Sequence, residues 1–198
     1  MPLSEIQTER LVLRPLDRSD LDLIQAAANQ RDIADTMISI PFPFTRQAAQ
    51  HYVRFREAQM RRGRGLALTL FDAASRACYG LVEIRDIDPE HRQAELSFWL
   101  TGRARGQGFM AEALPALLDH AFGNLGLNRI YAHHMVRNPA SGRVLTKLGF
   151  QQEGILRQQV RRHCPEIGIH KPERRHDRIR YRRPRIADRD VERARDAR

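Results

Sequence analysis

Hydrophobic residues recur with two different periods along the first 160 residues of the chain. Strands are predicted where apolar residues alternate with polar ones or form short runs, and these segments are residues 8–16, 66–71, 78–85, 93–100, 129–136 and 151–160. Helices are predicted where apolar residues are three and four positions apart, and they begin after Asp17, after Thr45, near Gly108 and at Asn138. Strands and helices in mixed order predict one domain of the α/β (α+β) class.

The predicted helices carry end signals of their own. Asp17 and Thr45 offer side-chain oxygens that can cap a first turn. Asn138 followed by Pro139 is typical of an N-cap with proline at the first helical position. Gly149 is typical of the stop at a helix C-terminus. These signals set the boundaries of the helices more firmly than the periodicity alone.

The pattern changes after Val160, where neither period is sustained and prolines interrupt the chain. The 198 residues include 34 Lys+Arg and 24 Asp+Glu, a net charge of +10. Residues 157–198 hold 15 of the basic and 7 of the acidic residues, so residues 1–156 carry a net charge of only +2. We therefore expect a folded domain over residues 1–160 and a basic, irregular tail over residues 161–198.

Composition excludes several classes of protein. No stretch approaches the roughly 18 consecutive apolar residues of a transmembrane helix. Charges at Glu5, Glu9 and Arg10, without an apolar segment, argue against a signal peptide. Cys78 and Cys164 are too few for a disulfide framework and neither lies in a CxxC motif, so a reducing, cytoplasmic location is expected.

The stretch from Arg103 to Glu112 is the strongest candidate for a binding site. Gly106 and Gly108 lie between a predicted strand and a predicted helix, where glycines let successive backbone N–H groups point at one anion. Arg103 and Arg105 add positive charge, so the loop suits a phosphate or pyrophosphate. A glycine turn with solvated arginines is the simpler alternative. A dinucleotide site, G-x-G-x-x-[GA], fits poorly, because five residues separate the first glycine from the strand and no acidic residue ends the next strand.

The pattern Arg103-x-x-Gly106-x-Gly108 resembles the acyl-coenzyme A loop of the GNAT N-acetyltransferases. Further segments resemble the RimJ/RimL branch of that superfamily, and they are TERLVLR at 8–14, PFPFT at 41–45, AELSFWL at 94–100, NPAS at 138–141 and LGF at 148–150. The resemblance covers about residues 5–160 and implies a mixed, mostly antiparallel central sheet flanked by helices. It also implies transfer of an acetyl group from acetyl-CoA to a protein N-terminal amine, of the ribosomal-protein type, or to a small-molecule amine.

The resemblance further implies how acetyl-CoA is bound. The pyrophosphate is expected on the amides of residues 103–108. The pantetheine arm is expected along the end of the 93–100 strand, where that strand diverges from the 129–135 strand. The cofactor-binding residues expected on this basis are Trp99, Leu100, Arg103, Ala104, Arg105, Gly106, Gln107, Gly108 and Asn138.

Direct transfer needs one group that takes a proton from the attacking amine and another that protonates the leaving thiolate. Glu95 is the first candidate for the proton acceptor, and Glu83 is the second; a strand carboxylate paired with an arginine is the structural alternative for Glu95. Ser141 and Asn138 are the candidates at the thiolate, against ordinary roles as a first-turn hydroxyl and an N-cap. The tyrosine that many superfamily members use there is missing from the predicted 138–150 helix.

Other side chains near the expected cleft are less specific. His133 and His134 are adjacent on a strand and so face opposite sides; one can reach the acceptor, and no metal site is expected without a further ligand. Phe42 and Phe44 either line the acceptor pocket or anchor their own loop. Cys78 is expected to be a buried strand residue.

Members of the family end with a strand beside residues 129–135, and the usual apolar-aromatic sequence for it is missing here. Residues 166–170 and 178–181 are the best substitutes, and both are short and polar. The rival hypothesis is therefore a catalytically impaired GNAT-like protein whose basic tail binds nucleic acid, since 15 Lys+Arg in residues 157–198 can neutralise several phosphates. The same tail could place an active enzyme near ribosomal RNA.

Overall fold

The computed structural model describes residues 5–162 and 174–184. The strands are β1 (Ile6–Gln7), β2 (Leu11–Pro15), β3 (Gly65–Asp72), β4 (Cys78–Asp88), β5 (Gln93–Leu100), β6 (Arg129–Met135), β7 (Gln151–Arg162) and β8 (Arg174–Pro184). The α-helices are α1 (Leu21–Ala28), α2 (Arg31–Thr36), α3 (Arg46–Arg61), α4 (Phe109–Gly123) and α5 (Pro139–Lys147).

The described strands form one sheet in the order β1-β2-β3-β4-β5-β6-β8-β7. Every neighbouring pair is antiparallel except β5 and β6, which run parallel. The last paired residues of β5 and β6 are Leu96 and Ala132, yet β5 continues to Leu100 and β6 to Met135. The expected mixed, mostly antiparallel sheet is confirmed, and its single parallel pair opens at one end.

An apolar core lies on each face of the sheet. Helix α4 contributes Leu114 and Leu117 to the first core, where they pack with sheet residues such as Leu96. Helices α1 to α3 cover the other face, in a core that includes Phe44 and Trp99. Because alternate residues of a strand face opposite sides, the sequence of β5 supplies Leu96 to one core and Trp99 to the other.

The helix start signals in the sequence are confirmed. The backbone N–H of Ala48 donates to Thr45 Oγ1 at 3.2 Å, at the start of α3. Asn138 is the N-cap of α5, with proline in its first turn, and Asp17 caps a short 3₁₀ turn that leads into α1. Gly149 follows the end of α5 with a positive φ of 79°, a left-handed conformation that suits glycine.

Two short elements were not predicted. Strand β1 has only two residues, which is too short for an alternation to show. Helix α2 has the sequence RDIADT, with only Ile33 and Ala34 buried, so no helical period develops. Both elements are held by tertiary contacts rather than by a local pattern.

The structure corrects the expectation of an irregular chain at one segment of the basic tail. Residues 174–184 form β8, which pairs with β6 on one side and with β7 on the other. Ile179 and Tyr181 pack on the first core, whereas Arg178 and Arg180 alternate with them and reach carboxylates. Residues 178–182 therefore alternate between polar and apolar side chains, as in a strand. Arginine occupies each polar position, so the segment is more polar than the final strand that the family resemblance implies. The candidate strand at 166–170, Cys164 and the tail beyond residue 184 lie outside the described residues.

Candidate active site

A cavity of about 520 Å³ opens where β5 and β6 diverge. Its walls come from the end of β5, the loop before α4, the first turn of α4, and helices α2 and α5. The sequence-predicted residues that line it are Trp99, Leu100, Ala104, Arg105, Gly106, Gly108, Asn138 and Ser141. Most of the residues chosen from the sequence are therefore brought to one cleft.

The loop between β5 and α4 has the geometry of an anion cradle. It begins as a 3₁₀ turn over Gly102–Ala104, and Gly106 and Gly108 then take positive φ values of 74° and 83°. Gly108 is also the N-cap of α4. Left-handed glycines turn the backbone N–H groups towards one point, and the start of a helix presents further N–H groups and a partial positive charge.

The side chains of this loop are less available than the sequence suggested. Arg103 donates to the carbonyl of Cys78 at 3.3 Å and does not line the cavity. Gln107 donates to the carbonyl of Arg103 at 2.5 Å and does not line it either. Arg105 does line the cavity, where it donates to the Leu100 carbonyl and forms an ion pair with Asp32 of α2.

The turn between β1 and β2 holds the loop in place through Glu112 of α4. Thr8 donates its hydroxyl to Glu112 Oε1 at 2.5 Å, and the Arg10 backbone N–H donates to the same oxygen at 2.7 Å. The Arg10 guanidinium binds Glu112 Oε2 at 2.7 Å and donates to the Gln107 carbonyl at 3.1 Å. The same guanidinium lies 4.6 Å from the centre of the Phe109 ring. The TER sequence at residues 8–10 thus has a physical role next to the loop.

Asn138 and Ser141 make the contacts of an N-cap and a first-turn hydroxyl. The Ser141 backbone N–H donates to Asn138 Oδ1 at 3.4 Å, and Asn138 Nδ2 donates to Ser141 Oγ at 3.0 Å. Both side chains nevertheless line the cavity. Because Ser141 Oγ accepts from Asn138, its own hydroxyl proton can be directed to another acceptor.

Two basic residues of α5 were missed. Arg143 and Lys147 line the cavity and are one helical turn apart, so they lie on the same side of α5. Their spacing in the sequence could have shown this once the helix was predicted. Asp32 also lines the cavity and pairs with Arg105, so Arg143 and Lys147 supply the net positive charge of the wall, which suits an anionic ligand.

Glu95 lies beside the cavity wall rather than in it. Its Oε1 accepts hydrogen bonds from His133 Nδ1 at 3.0 Å, Arg85 at 2.9 Å and Arg178 at 3.1 Å. Burial alone would raise the pKa of Glu95, but the His133 hydrogen bond and the Arg85 charge outweigh burial and lower this pKa to about 2. Glu95 is therefore ionised at neutral pH, and a carboxylate of such low pKa is a weak proton acceptor.

His133 links Glu95 to the cavity. Its ring lines the cavity, and its Nδ1 faces the Glu95 carboxylate. An ionised carboxylate can only accept, so Nδ1 is the donor in this contact and Nε2 is the ring nitrogen that Glu95 leaves available. The Tyr131 ring packs edge-on against the His133 ring, and the two ring centres are 5.5 Å apart. Glu95 and His133 thus form a carboxylate–imidazole pair whose imidazole faces the cleft.

The remaining candidates lie elsewhere. Glu83 is buried against Arg56 at 2.6 Å and accepts from the Tyr52 hydroxyl at 3.1 Å, away from the cavity. Phe44 is buried and packs edge-on against Tyr52, whereas Phe42 is 40% exposed; neither lines the cavity. Cys78 is buried, which raises its pKa to about 11.

His134 explains an unusual glycine in α5. Its Nδ1 faces the Met135 carbonyl at 2.8 Å, and burial lowers its pKa. A Cβ atom on Gly142 would lie 2.8 Å from His134 Nε2 and 3.2 Å from the Tyr181 hydroxyl. Residue 142 is therefore glycine because β6 and β8 approach the helix closely at this point.

Within residues 5–162 and 174–184, no group of three His, Cys, Asp or Glu side chains is placed to hold a metal ion. Across the same described residues, no helix has the length and apolar character needed to cross a membrane.

Comparison with known proteins gives consistent matches. The family model for the acetyltransferase (GNAT) domain matches residues 10–151. The chain is 29% identical over 147 residues to spermidine N(1)-acetyltransferase of Vibrio cholerae, an alignment that covers 74% of this chain and 82% of that protein.

Two solved structures have the same fold. One is RimL, the ribosomal L7/L12 α-N-protein acetyltransferase in complex with coenzyme A, with a TM-score of 0.77, 22% identity and coverage of 91% of this chain and 98% of that one. The other is spermidine N-acetyltransferase from Vibrio cholerae in complex with CoA and spermine, with a TM-score of 0.70, 26% identity and coverage of 88% and 95%.

Proposed function

This chain belongs to the GNAT acetyltransferase family and is an N-acetyltransferase of that type, and we propose that it acetylates the N-terminal α-amine of a protein, with acetyl-CoA as the co-substrate. One observation carries the proposal above the others. The imidazole of His133 faces the cavity between the diverging strands, and its other nitrogen is bound to the buried carboxylate of Glu95. This is an arrangement suited to removing a proton from an amine in the cleft.

The residues of the cleft fit acetyl-CoA. The amides from Gly106 to Gly108 and the start of α4 suit its pyrophosphate, because the N–H groups of Ala104 and Arg105 already donate to the carbonyls of Thr101 and Gly102. Arg143 and Lys147 of α5 add positive charge at the cavity wall. The unpaired end of β5, with Trp99 and Leu100 at the cavity wall, suits the pantetheine arm. When bound, acetyl-CoA supplies the activated thioester, whose C–S bond breaks as the new amide bond forms.

His133 and Glu95 act on the proton of the amine. A protein α-amine with a pKa of about 8 is partly neutral at pH 7, whereas a lysine-like amine with a pKa near 10.4 is almost wholly protonated. As the amine nitrogen attacks, its proton passes to His133 Nε2, directly or through a water molecule. Glu95 then stabilises the charged imidazole and holds its orientation. Glu95 is a positioning residue in this scheme, because its own low pKa makes it a poor acceptor.

Ser141 acts on the leaving group. Its hydroxyl accepts from Asn138 Nδ2, which leaves the hydroxyl proton to donate to the departing thiolate. Asn138 positions Ser141 and also caps α5. No tyrosine is present in α5 to take this role.

A small-molecule amine is the second candidate acceptor, because the relative of 29% identity acts on spermidine by name. The two acceptors differ in charge: spermidine carries several positive charges and no negative one. A panel of peptides with free N-termini and of polyamines, incubated with acetyl-CoA and read out as free thiol, separates these two acceptors directly.

The proton path is tested with three variants and a matched control. His133→Gln should lower kcat by about 10²–10⁴-fold, with little change in the Kd for acetyl-CoA. Glu95→Gln and Ser141→Ala should also lower kcat more than acetyl-CoA affinity. His120→Gln, a change of the same kind in α4 outside the cavity, should retain the wild-type kcat. Wild-type turnover in His133→Gln would reject His133 as the proton acceptor.

Contact with ribosomal RNA through residues 161–198 is a separate proposal, supported by the basic composition of that segment. Retention on RNA should fall steeply as salt rises. Because Arg174–Pro184 is a strand of the sheet, the test removes only the residues after 184, and loss of RNA retention with unchanged acetyl-CoA binding is the expected result.

A further inference from the structure

An unusually arginine-rich surface lies next to the His133–Glu95 pair. We call it the arginine face, and its members are Arg85 of β4, Arg129 of β6 and Arg178, Arg180 and Arg182 of β8. The three residues of β8 are two positions apart, so they share one face of the strand. Ile179 and Tyr181 take the opposite face and pack in the core.

The described carboxylates on this surface do not balance its charge. Glu95 is shared by Arg85 and Arg178. Glu153 of β7 is shared by Arg129 at 2.9 Å, Arg180 at 3.2 Å and Arg182 at 3.5 Å. Arg85 also lies 3.9 Å from Asp86 Oδ2. Five guanidinium groups thus pair with three carboxylates, which leaves a surplus of two positive charges among the described side chains.

The surplus is accessible to a ligand. The side chains of Arg180 and Arg182 are 34% and 42% exposed, and that of Glu153 is 31% exposed. Arg178 is more buried, at 11%, and burial lowers its pKa in spite of Glu95. An anion at this surface would therefore stabilise the positive charge of Arg178 as well as form ion pairs with Arg180 and Arg182.

One end of the arginine face lies next to His133, the proposed proton acceptor for the amine. Arg178 and His133 bind the same oxygen of Glu95. Arg180 pairs with His133 across the β6–β8 register, and Arg182 pairs with Tyr131. Side chains two positions apart on a strand are about 6.6 Å apart, so the arginines of β8 extend about 13 Å from Arg178. An extended acceptor chain covers that distance in about four residues.

We propose that the arginine face binds acidic side chains that directly follow the reactive amine, so that the acceptor is a protein N-terminus with Asp or Glu among its second to fourth residues. This rests on the proposed function, since it takes the amine to lie at His133. The same charge disfavours a polyamine, which would bring several positive charges to a surface with surplus positive charge. It also gives Arg180 and Arg182 a role beyond their ion pairs with Glu153.

The test uses peptides of eight residues that share the first residue and differ only at the second to fourth, as acidic, neutral amide or lysine residues. Initial rates with saturating acetyl-CoA are read out as free thiol. The affinity of each peptide is also measured by calorimetry in the presence of coenzyme A, which needs no turnover. We expect kcat/KM for the acidic peptide to exceed that for the neutral one by about 10-fold, and the lysine peptide to fall below the neutral one. Added salt should narrow these differences.

Variants locate the effect on the surface. Arg180→Gln and Arg182→Gln should reduce the preference for the acidic peptide, mainly through KM. Arg183→Gln removes the same charge from the opposite face of β8, where the guanidinium lies 5.9 Å from the Phe122 ring, and it should retain the preference. Circular dichroism confirms folding of each variant, and the peptide series in the wild-type protein tests the proposal without any variant.

The outcomes separate this proposal from the proposed function. Acetylation of all three peptides with equal kcat/KM would overturn the acidic preference and leave the N-terminal acetyltransferase intact. Selective binding of the acidic peptide without turnover would support the arginine face and reject the assigned activity. Preferential acetylation of spermidine, or competition by an RNA oligonucleotide without peptide selectivity, would reject the acidic-peptide proposal.

Discussion

Because Glu95 is ionised and bound to cationic partners in the folded protein, the free energy of unfolding should fall as acid protonates it. Its pKa is lowered from 4.5 to about 2 in the folded state, and we take the ordinary value for the unfolded chain. A depressed folded pKa means that the stabilisation is fully present above the unfolded value and is lost as the pH falls towards the folded value. The perturbation is therefore a reduction of pH from 6 to 3, compared between the wild type and Glu95→Gln, which cannot titrate at this position.

The expected magnitude follows from the two pKa values. The total contribution of Glu95 is about 3 kcal/mol, at 1.36 kcal/mol for each pH unit between them. Of this, about 0.8 kcal/mol should be lost by pH 4 and about 2 kcal/mol by pH 3. At pH 6 the variant should be less stable than the wild type by about 3 kcal/mol or more, because Arg85 and Arg178 lose their carboxylate. The stability difference between the two proteins should then shrink by the stated amounts as the pH falls.

Urea unfolding at pH 6, 5, 4 and 3 measures this difference. Trp99 is the single tryptophan and is buried, so its fluorescence reports the transition. Titrating groups that do not contact Glu95 change both proteins alike and cancel in the comparison. A difference in the free energy of unfolding that stays constant between pH 6 and pH 3 would refute an ionised Glu95 that is bound to His133, Arg85 and Arg178.

Four further substitutions test the architecture around the cleft. Gly142→Ala should destabilise the protein by about 1–3 kcal/mol in thermal or urea unfolding, because the crowding at His134 outweighs the gain of about 1 kcal/mol in helix propensity. Asn138→Ala should cost about 1 kcal/mol in the same measurement through loss of the N-cap, and should also lower kcat. Arg10→Met and Glu112→Gln should each weaken acetyl-CoA binding several-fold in calorimetry, and the double variant should be little worse than either single one, because the two side chains act as a pair.

The control for Gly142→Ala is a glycine of α4. Gly123→Ala, at the end of α4, places a Cβ where no atom lies within 4 Å, and it should stabilise the protein by up to about 1 kcal/mol. If Gly142→Ala stabilised the protein by as much as Gly123→Ala, the close approach of His134 to α5 would be wrong. Additive losses in the Arg10 and Glu112 variants would show that these residues do not hold the loop jointly.

Local signals in the sequence were sufficient for much of the fold. The bounds of β5 were predicted to the residue, because its apolar run is flanked by polar loops. The starts of helices α4 and α5 were predicted to within a residue, because a glycine and an Asn-Pro pair mark them. Residues 178–181 were a candidate for the strand beside β6, and the structure confirms their place there. The full extent of β8 was not predicted, because many of its side chains are arginines whose carboxylate partners lie far away in the sequence.

In the candidate site, too, features set by neighbouring residues could be predicted, whereas contacts between residues far apart in the sequence could not. The loop between β5 and α4 could be predicted as an anion site from Gly106 and Gly108 and from their place before a helix. The state of Glu95 does not follow from the sequence, because Arg178, one of its partners, is 83 residues away and comes from a segment with no clear pattern. For the same reason the role of His133 was left open, since only the fold shows that its ring connects Glu95 with the cleft.

The position of β8 also has a consequence for the order in which the molecule can be assembled during synthesis. Strand β6 is complete at residue 135, but the strand that pairs with its outer edge ends only at residue 184. Until that segment has left the ribosome, the nascent chain has neither Arg178 beside Glu95 nor a partner for the inner edge of β7. The contact between Arg178 and Glu95 is thus among the last in the protein to form. A premature stop before residue 178 would remove one of the arginines that bind Glu95, although every residue that lines the cavity would already have been synthesised.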